Sequence, residues 1–394
     1  MTDREETLQN LTEQYEREKH SRVKIHLELY APSKAYQYKV RAAAQTNTLP
    51  DIFGVLGETR DLASFIVSGH VSDISAALDA DDGHWRKQFF PKALATTTFN
   101  EGNQYKVSPG TYGIPIDVTN IQMLYNKEIF KQAGLNPEEP PKTWEEFIDA
   151  WHKLAAAGKP GFVSGWGETW MIDCFASNYA FNIMGEQKVL DTFRGKVPYT
   201  DPGWIKVLEI FDAMRREGLL VPGVVTMVNK TAEQTFANNN AAFAFNGSWC
   251  VNVYKGMNPD LSYGVMLPPS ISSRYPMKIW GGAGSSFVIN AASPYKKEAL
   301  DYLKWLTSPA QQAVLSRETM NLPSNRNSMN DLPPLLAGFA AGMDSTTHPS
   351  EWPVVEDPIV VERFDRGIQS ILTGEKTPAE IAQEVQALKE QLTK

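Results

Sequence analysis

The sequence predicts an α/β protein of two lobes, each a mostly parallel sheet flanked by helices. Three observations carry that expectation. The chain has 394 residues, and lobes of roughly 100–200 residues each are the usual way to bury so long a chain. Short apolar runs alternate with longer segments of helical period, the pattern of α/β layers. No repeat of about 20–50 residues and no low-complexity linker interrupts them, so the lobes should meet through ordered crossovers.

The elements follow in chain order. Leu8, Leu11 and Tyr15 mark an N-terminal helix. "RVKIHLEL" alternates Val23, Ile25, Leu27 and Leu29 and reads as a strand, as do "PDIFGV" and "NIQMLYN". In "KTWEEFIDAWHKLAAAG", Thr143 with Glu146 three residues later spells a capping box, and Gly158 ends the helix. "TDPGWIKVLEIFDAMRREG" repeats that grammar with Asp201, Pro202 and Gly218. "AAFAFN", "SYGVML" and "SSFVIN" are further strands, and Ser293-Pro294, Ser308-Pro309 and Thr377-Pro378 open the later helices.

Composition excludes several functions. A net charge of −8 offers no basic footprint for nucleic acid. No run of about 18 apolar residues exists to span a bilayer. The charged start "MTDREETLQNLTEQYEREKH" is the opposite of a secretory signal. Six scattered histidines lack metal-ligand spacing, so no metal is expected. "WGGAGSSFVIN" is glycine-rich but leads into a strand, whereas a phosphate loop opens a helix and carries a lysine. No cofactor is implied. Cys174 and Cys250 read as two separate thiols rather than a disulfide.

Several constellations could carry chemistry. "FVSGWGETWMIDCF" holds Trp166, Glu168 and Trp170. Two indoles around a carboxylate can grip a sugar, since its C–H face lies on a ring while the carboxylate accepts hydroxyl donors. The same residues also describe two core tryptophans beside a surface acid. Glu58 and Arg60 follow the strand ending at Val55, either as polar ligand contacts or as an ordinary helix start. Pro115 opens a stretch that reads as a strand passing between lobes, with Asp117 either where a hinge would lie or as a surface acid beside Thr119 in a turn. In "AAFAFNGSWCVNVY" the strand ends at an Asn246-Gly247 turn and Trp249 follows. Ser248 would then cap a helix, with Trp249 either packing on its neighbours or facing a cleft at the strand's carboxyl end.

These stretches together resemble the bacterial extracellular solute-binding proteins of carbohydrate ABC transporters, the group that includes maltose-binding protein. "LPDIFGV" looks like that family's early strand. "YGIPIDVTNIQMLYNKEIFKQAGLNPEEPPKTWEEF" looks like its first crossover, and "AAFAFNGSWCV" is similar to its Asn-Gly-Ser/Pro-Trp strand end. "GGAGSSFVINAASPYKKEALDYLKWLTSPAQQ" and "NLPSNR" resemble the second and third crossovers. The resemblance covers roughly residues 20 to 394. It implies a two-lobe clamp of the periplasmic-binding-protein type with a three-segment hinge. The lobes would comprise residues 1–117 with 285–322 and residues 118–284 with 323–394. It implies ligand contacts from Trp249, Glu168, Trp170, Asp117, Glu58, Arg60, Trp280, Gly281, Asn246, Arg326 and Trp352. It further implies a monomer that binds a mono- or oligosaccharide and hands it to membrane-embedded ABC permease subunits. Such a protein would be periplasmic or lipid-tethered outside the cytoplasmic membrane, and no enzyme. The family's export signal and first strand do not appear. Either the sequence is truncated or the strand is supplied differently.

Two other functions fit the residues. A carbohydrate-active hydrolase would need paired carboxyls about 5–5.5 or 6.5–9.5 Å apart, with Glu168 and either Glu58 or Asp117 as the pair. The same clamp could instead hold a cationic small molecule between acids and tryptophans.

Overall fold

A computed structural model describes residues 4–18, 23–30, 33–56, 59–347 and 356–392. Its strands are β1 (Ile52–Leu56), β2 (Thr98–Phe99), β3 (Gly110–Thr111), β4 (Ile114–Asn126), β5 (Phe162–Val163), β6 (Phe243–Gly247), β7 (Tyr263–Met266), β8 (Gly281–Ile289) and β9 (Leu322–Pro323). The chain forms two compact units. The first comprises Met1–Thr119 with Gly282–Ala337, the second Asn120–Gly281 with Gly338–Lys394. The chain therefore passes between them three times.

In the first unit, β8 lies between β1 and β4. β1 and β8 are antiparallel, with Gly54 opposite Phe287, and β9 pairs antiparallel with β4 at Asp117 and Val118. Leu8, Leu11 and Tyr15 of the Glu5–Glu18 helix pack into a core with Ile114, Ile116, Leu303 and Leu306. Residues 323–337, expected in the other lobe, belong here. Ser328 donates to the Pro309 carbonyl, and the Asn325 amide donates to Gln88 and to the Thr307 carbonyl.

In the second unit, β6 lies between β4 and β5. β5 and β6 run parallel, as strands joined by helical crossovers do, whereas β6 and β7 are each antiparallel to β4. The sheets are thus mixed, not mostly parallel. β4, which enters from the other unit, is the strand that runs against its neighbours β6 and β7. A large core surrounds this sheet, built on Phe162, Trp166, Phe175, Trp204, Phe211 and Phe243.

The helix signals act locally as their chemistry requires. Thr143 and Glu146 exchange hydrogen bonds in a capping box at the Trp144–Ala156 helix. Thr377 and Glu380 do the same at Pro378–Leu392. Asp201 accepts from the Gly203 N–H at the start of Pro202–Arg216. Two local expectations fail. Val23–Tyr30 forms no strand; Ile25 instead donates its N–H to Glu16 and rests against the first unit's core. The Asn246-Gly247 pair is no turn either, because β6 continues through Gly247 and the chain turns at Ser248-Trp249. Cys174 and Cys250 are buried, separate thiols.

Two acids lie deep in the second unit, Asp173 on the Thr169–Met184 helix and Asp365 on Pro358–Thr373. Burial pushes the Asp173 carboxyl up to about 7. Burial, and next the charge of Asp173, hold the Asp365 carboxyl well above the usual range. A folded-state value above the unfolded one means the proton is bound more tightly in the native state. The resulting stabilisation is complete below about pH 4 and is lost as the pH rises through 7. Urea unfolding should therefore show lower stability at pH 8 than at pH 5, and Asp173→Asn should flatten that difference. An unchanged difference in the variant would assign the pH dependence to other groups.

Candidate functional site

The carboxyl end of β6 is built by alternation. Phe243 and Phe245 point to one face, where Phe243 meets Phe130 and Phe147 and Phe245 meets Phe175. The strand is thereby fixed, and the turn that follows is pinned by the Ser248 N–H, which donates to the Asn120 carbonyl of β4 at 2.9 Å. Trp249, not Ser248, takes the N-cap position of the Cys250–Met257 helix. Its ring folds back over Gly247. A Cβ on Gly247 would stand 2.0 Å from the indole, so only glycine allows this approach.

Trp249 is half-buried on the core and contacts Trp170, their ring centroids 6.0 Å apart at 49°. Trp170, on the first turn of its helix, is 44% exposed. Trp280 is half-buried against the same core, and its carbonyl accepts the Ile121 N–H, while Ile121 sits opposite Gly247. Three partly exposed indoles thus gather around one end of β4 and β6. Gly281, buried, closes the second unit's share of the chain at that point.

A polar network lies beside them. Glu168 Oε2 accepts the Asn229 N–H at 2.7 Å, so its carboxylate sits at the N-terminus of the Asn229–Ala237 helix. Asn229 Nδ2 donates to Glu233 Oε1 at 3.1 Å, and Asn246 Nδ2 donates to the same oxygen at 3.3 Å. Asn246 Nδ2 also reaches the Tyr254 hydroxyl, and its Oδ1 accepts the Gly247 N–H. Asn246 is buried and bonds the protein's own groups, supporting the turn from beneath. Burial pushes the Tyr254 hydroxyl and the Cys250 thiol up, which keeps both protonated.

The suggested flanking of Glu168 by two indoles does not form. Trp166 is wholly buried among Phe162, Phe175 and Phe211. The strand stops at Val163 and a helix starts at Thr169, so alternate positions between them share no face. Trp249, not Trp166, partners Trp170.

Four of the sequence-derived candidates belong to the first unit. Arg60 is exposed on the first turn of Thr59–Val67, and Arg326 is exposed at the start of the 3-10 turn Arg326–Asp331. Glu58 lies outside the described residues, as does Trp352 of the second unit. Asp117 is buried. Its Oδ1 accepts from the Ser285 N–H at 2.9 Å and from the Ser285 hydroxyl, and its Oδ2 accepts from Arg4 Nη2 at 2.8 Å. Sequence reading missed Arg4, which sits in a run of charged residues and belongs to no motif. A buried aspartate in a strand calls for a cation, but spacing does not say which. Among the described residues no group of three histidines, cysteines or acids is placed to hold a metal ion, and no helix is long and apolar enough to cross a membrane.

Residues 10–337 match the family model described as bacterial extracellular solute-binding protein. Among curated relatives, the melibiose/raffinose/stachyose-binding protein MelE of Bacillus subtilis is 25% identical over 81% of this chain and 70% of its own length. The sn-glycerol-3-phosphate-binding periplasmic protein UgpB of Yersinia enterocolitica is 30% identical over 53% of this chain and 48% of its own. Among solved structures, a chitin oligosaccharide binding protein superposes with a TM-score of 0.77, at 20% identity over 98% of this chain and 94% of that one. That likeness shows a shared fold, the two-lobe α/β clamp. The family match spans most of the sequence, and the chain belongs to the bacterial extracellular solute-binding proteins.

Proposed function

We propose that this protein binds a mono- or oligosaccharide and delivers it to an ABC permease outside the cytoplasmic membrane, without chemical turnover. The observation that carries the proposal is the Trp170–Trp249 pair, two indoles 6.0 Å apart with one of them 44% exposed. Leaving so much apolar surface in water costs hydrophobic stabilisation, which a ligand with a flat C–H face recovers. Glu168, two residues before Trp170, supplies an acceptor already oriented by the Asn229 N–H. Trp280 extends the aromatic surface. The sugar specificity of MelE supports the reading, and the glycerol phosphate specificity of UgpB names the alternative to test.

A hydrolytic role finds less support. Both Asp117 oxygens are engaged by Arg4 and Ser285, which leaves a poor general base or nucleophile. Arg60 and Arg326 remain candidate contacts from the first unit.

Thermal-shift assays with melibiose, raffinose, stachyose, chitin oligosaccharides and sn-glycerol-3-phosphate test the proposal directly. A saccharide at about 100 times its dissociation constant should stabilise the chain by about 2.7 kcal/mol. Trp249→Ala and Trp170→Ala should each weaken binding about tenfold or more, a loss of stacking and buried area worth some 1.4 kcal/mol. A shift with sn-glycerol-3-phosphate alone would replace the saccharide reading, and release of reducing sugar would replace the receptor reading.

Gly247→Ala provides a separate check on how the ring is held. The new methyl displaces the Trp249 indole, so saccharide affinity should drop nearly as far as in Trp249→Ala while the folded core persists by near-ultraviolet circular dichroism. Wild-type affinity in this variant would show that the ring's position over Gly247 is irrelevant to binding.

A further inference from the structure

Four separate stretches of the first unit meet at one buried guanidinium. Arg4 is 8% exposed. Its Nη2 donates to Asp117 Oδ2 at 2.8 Å and to Asn321 Oδ1 at 3.2 Å, and its Nη1 donates to the Ser285 hydroxyl at 3.2 Å. Asp117 in turn holds Ser285 through both the backbone N–H and the hydroxyl. Gly284 leaves room for this, because a Cβ there would lie 2.6 Å from Asp117 Oδ2.

The locations matter more than the number of bonds. Asp117 on β4 lies just before the chain leaves the first unit after Thr119, and Ser285 on β8 lies just after it returns at Gly282. Asn321 immediately precedes β9, whose Pro323 pairs with Asp117. The planar fork spreads its donors over two nitrogens and so reaches acceptors on two strands and in the segment before β9, a geometry that suits arginine better than the single ammonium of lysine. A buried ion pair is costly to break, because removing one partner strands the other charge out of water.

We infer that Arg4 is a positioning residue that fastens the unit-1 ends of the crossing strands. It makes Asp117 part of a clasp instead of a ligand contact. The backbone freedom that a hinge needs is thereby confined to the residues beyond the clasp, and ligand binding comes to depend on a residue near the start of the chain that need not touch ligand. The affinity part of this inference rests on the saccharide reading above; the mechanical part does not.

Amide hydrogen exchange of the full chain separates the two. Arg4→Ala should exchange at least about tenfold faster at residues 116–119, 282–287 and 320–322 while β5 and β6 stay protected. Arg4→Lys should fall between wild type and alanine. Arg86→Ala, which breaks the partly exposed pair with Asp79 elsewhere in the first unit, should leave these three stretches unchanged. Should Arg4→Ala fail to fold, Asn321→Ala removes one acceptor and should accelerate the same stretches less. Uniform acceleration across the first unit, or none, would overturn the clasp. Raffinose titration provides the second arm, with affinity expected to fall about tenfold in Arg4→Ala, within the range by which residues outside a site modulate it. Unchanged affinity in a variant whose crossing strands exchange faster would reduce Arg4 to a purely structural role. Absence of saccharide binding in wild type would defeat the saccharide reading alone, with exchange still deciding the clasp.

Discussion

β4 is the constraint on which the rest depends. All thirteen residues from Ile114 to Asn126 are buried, yet the strand serves two units and carries polar side chains at five positions. Each such group must find a partner, because a buried polar group left unpaired costs about 1–3 kcal/mol. In the second unit, Asn120 donates to the Phe339 carbonyl, Gln122 to Asn120, and Asn126 both caps the Lys127–Gln132 helix and donates to Asn239. In the first, Asp117 takes Arg4 and Ser285. The polar residues of one strand therefore specify which loops and helices lie beside it. A wholly apolar strand would have packed as tightly without that selectivity.

The candidate site inherits its geometry from this strand. Ser248 hangs from the Asn120 carbonyl and Trp280 accepts from Ile121, so the two half-buried indoles of the three are registered by β4's backbone. The third, Trp170, is placed by a helix whose interior residues Phe175 and Tyr179 are wholly buried. Backbone registration and core packing hold the three indoles in place, with the Trp170 and Trp249 rings tilted at 49° to each other. On the proposed saccharide reading, a surface held in this way loses little ordering entropy when ligand binds.

The legible part of the sequence was the part governed by local chemistry. Thr143 with Glu146, Asp201 with Pro202, and Thr377 with Glu380 each mark a helix start because capping involves neighbours three residues apart. The apolar runs of β1, β6, β7 and β8 were equally clear. What escaped depends on partners distant in sequence. The alternation in Val23 to Leu29 promises a strand, but the segment forms none, and Ile25 gives its N–H to the Glu16 side chain instead. Strand direction escaped because the antiparallel pairing of β4 with β6 and β7 joins residues more than a hundred positions apart, which no local pattern records. Trp166 and Trp249 show the same limit in the site itself. Both are tryptophans near a glycine, and only the buried faces of Phe162 and Phe211 decide that the first is core.

Glu168 and Asp117, two acids singled out together, end in opposite situations for one physical reason. A carboxylate removed from water must be compensated, and the means of compensation decides what remains for a ligand. Asp117 is compensated by a full cation and by both donors of Ser285, so each of its oxygens is engaged within the protein. Glu168 is half-buried and is compensated by a single backbone N–H at a helix start, through one of its two oxygens. The first arrangement suits a fastening and the second suits a hydrogen-bonding surface beside an aromatic ring. Sequence position alone made both look like ligand contacts; the number and charge of the donors around each carboxylate separate them.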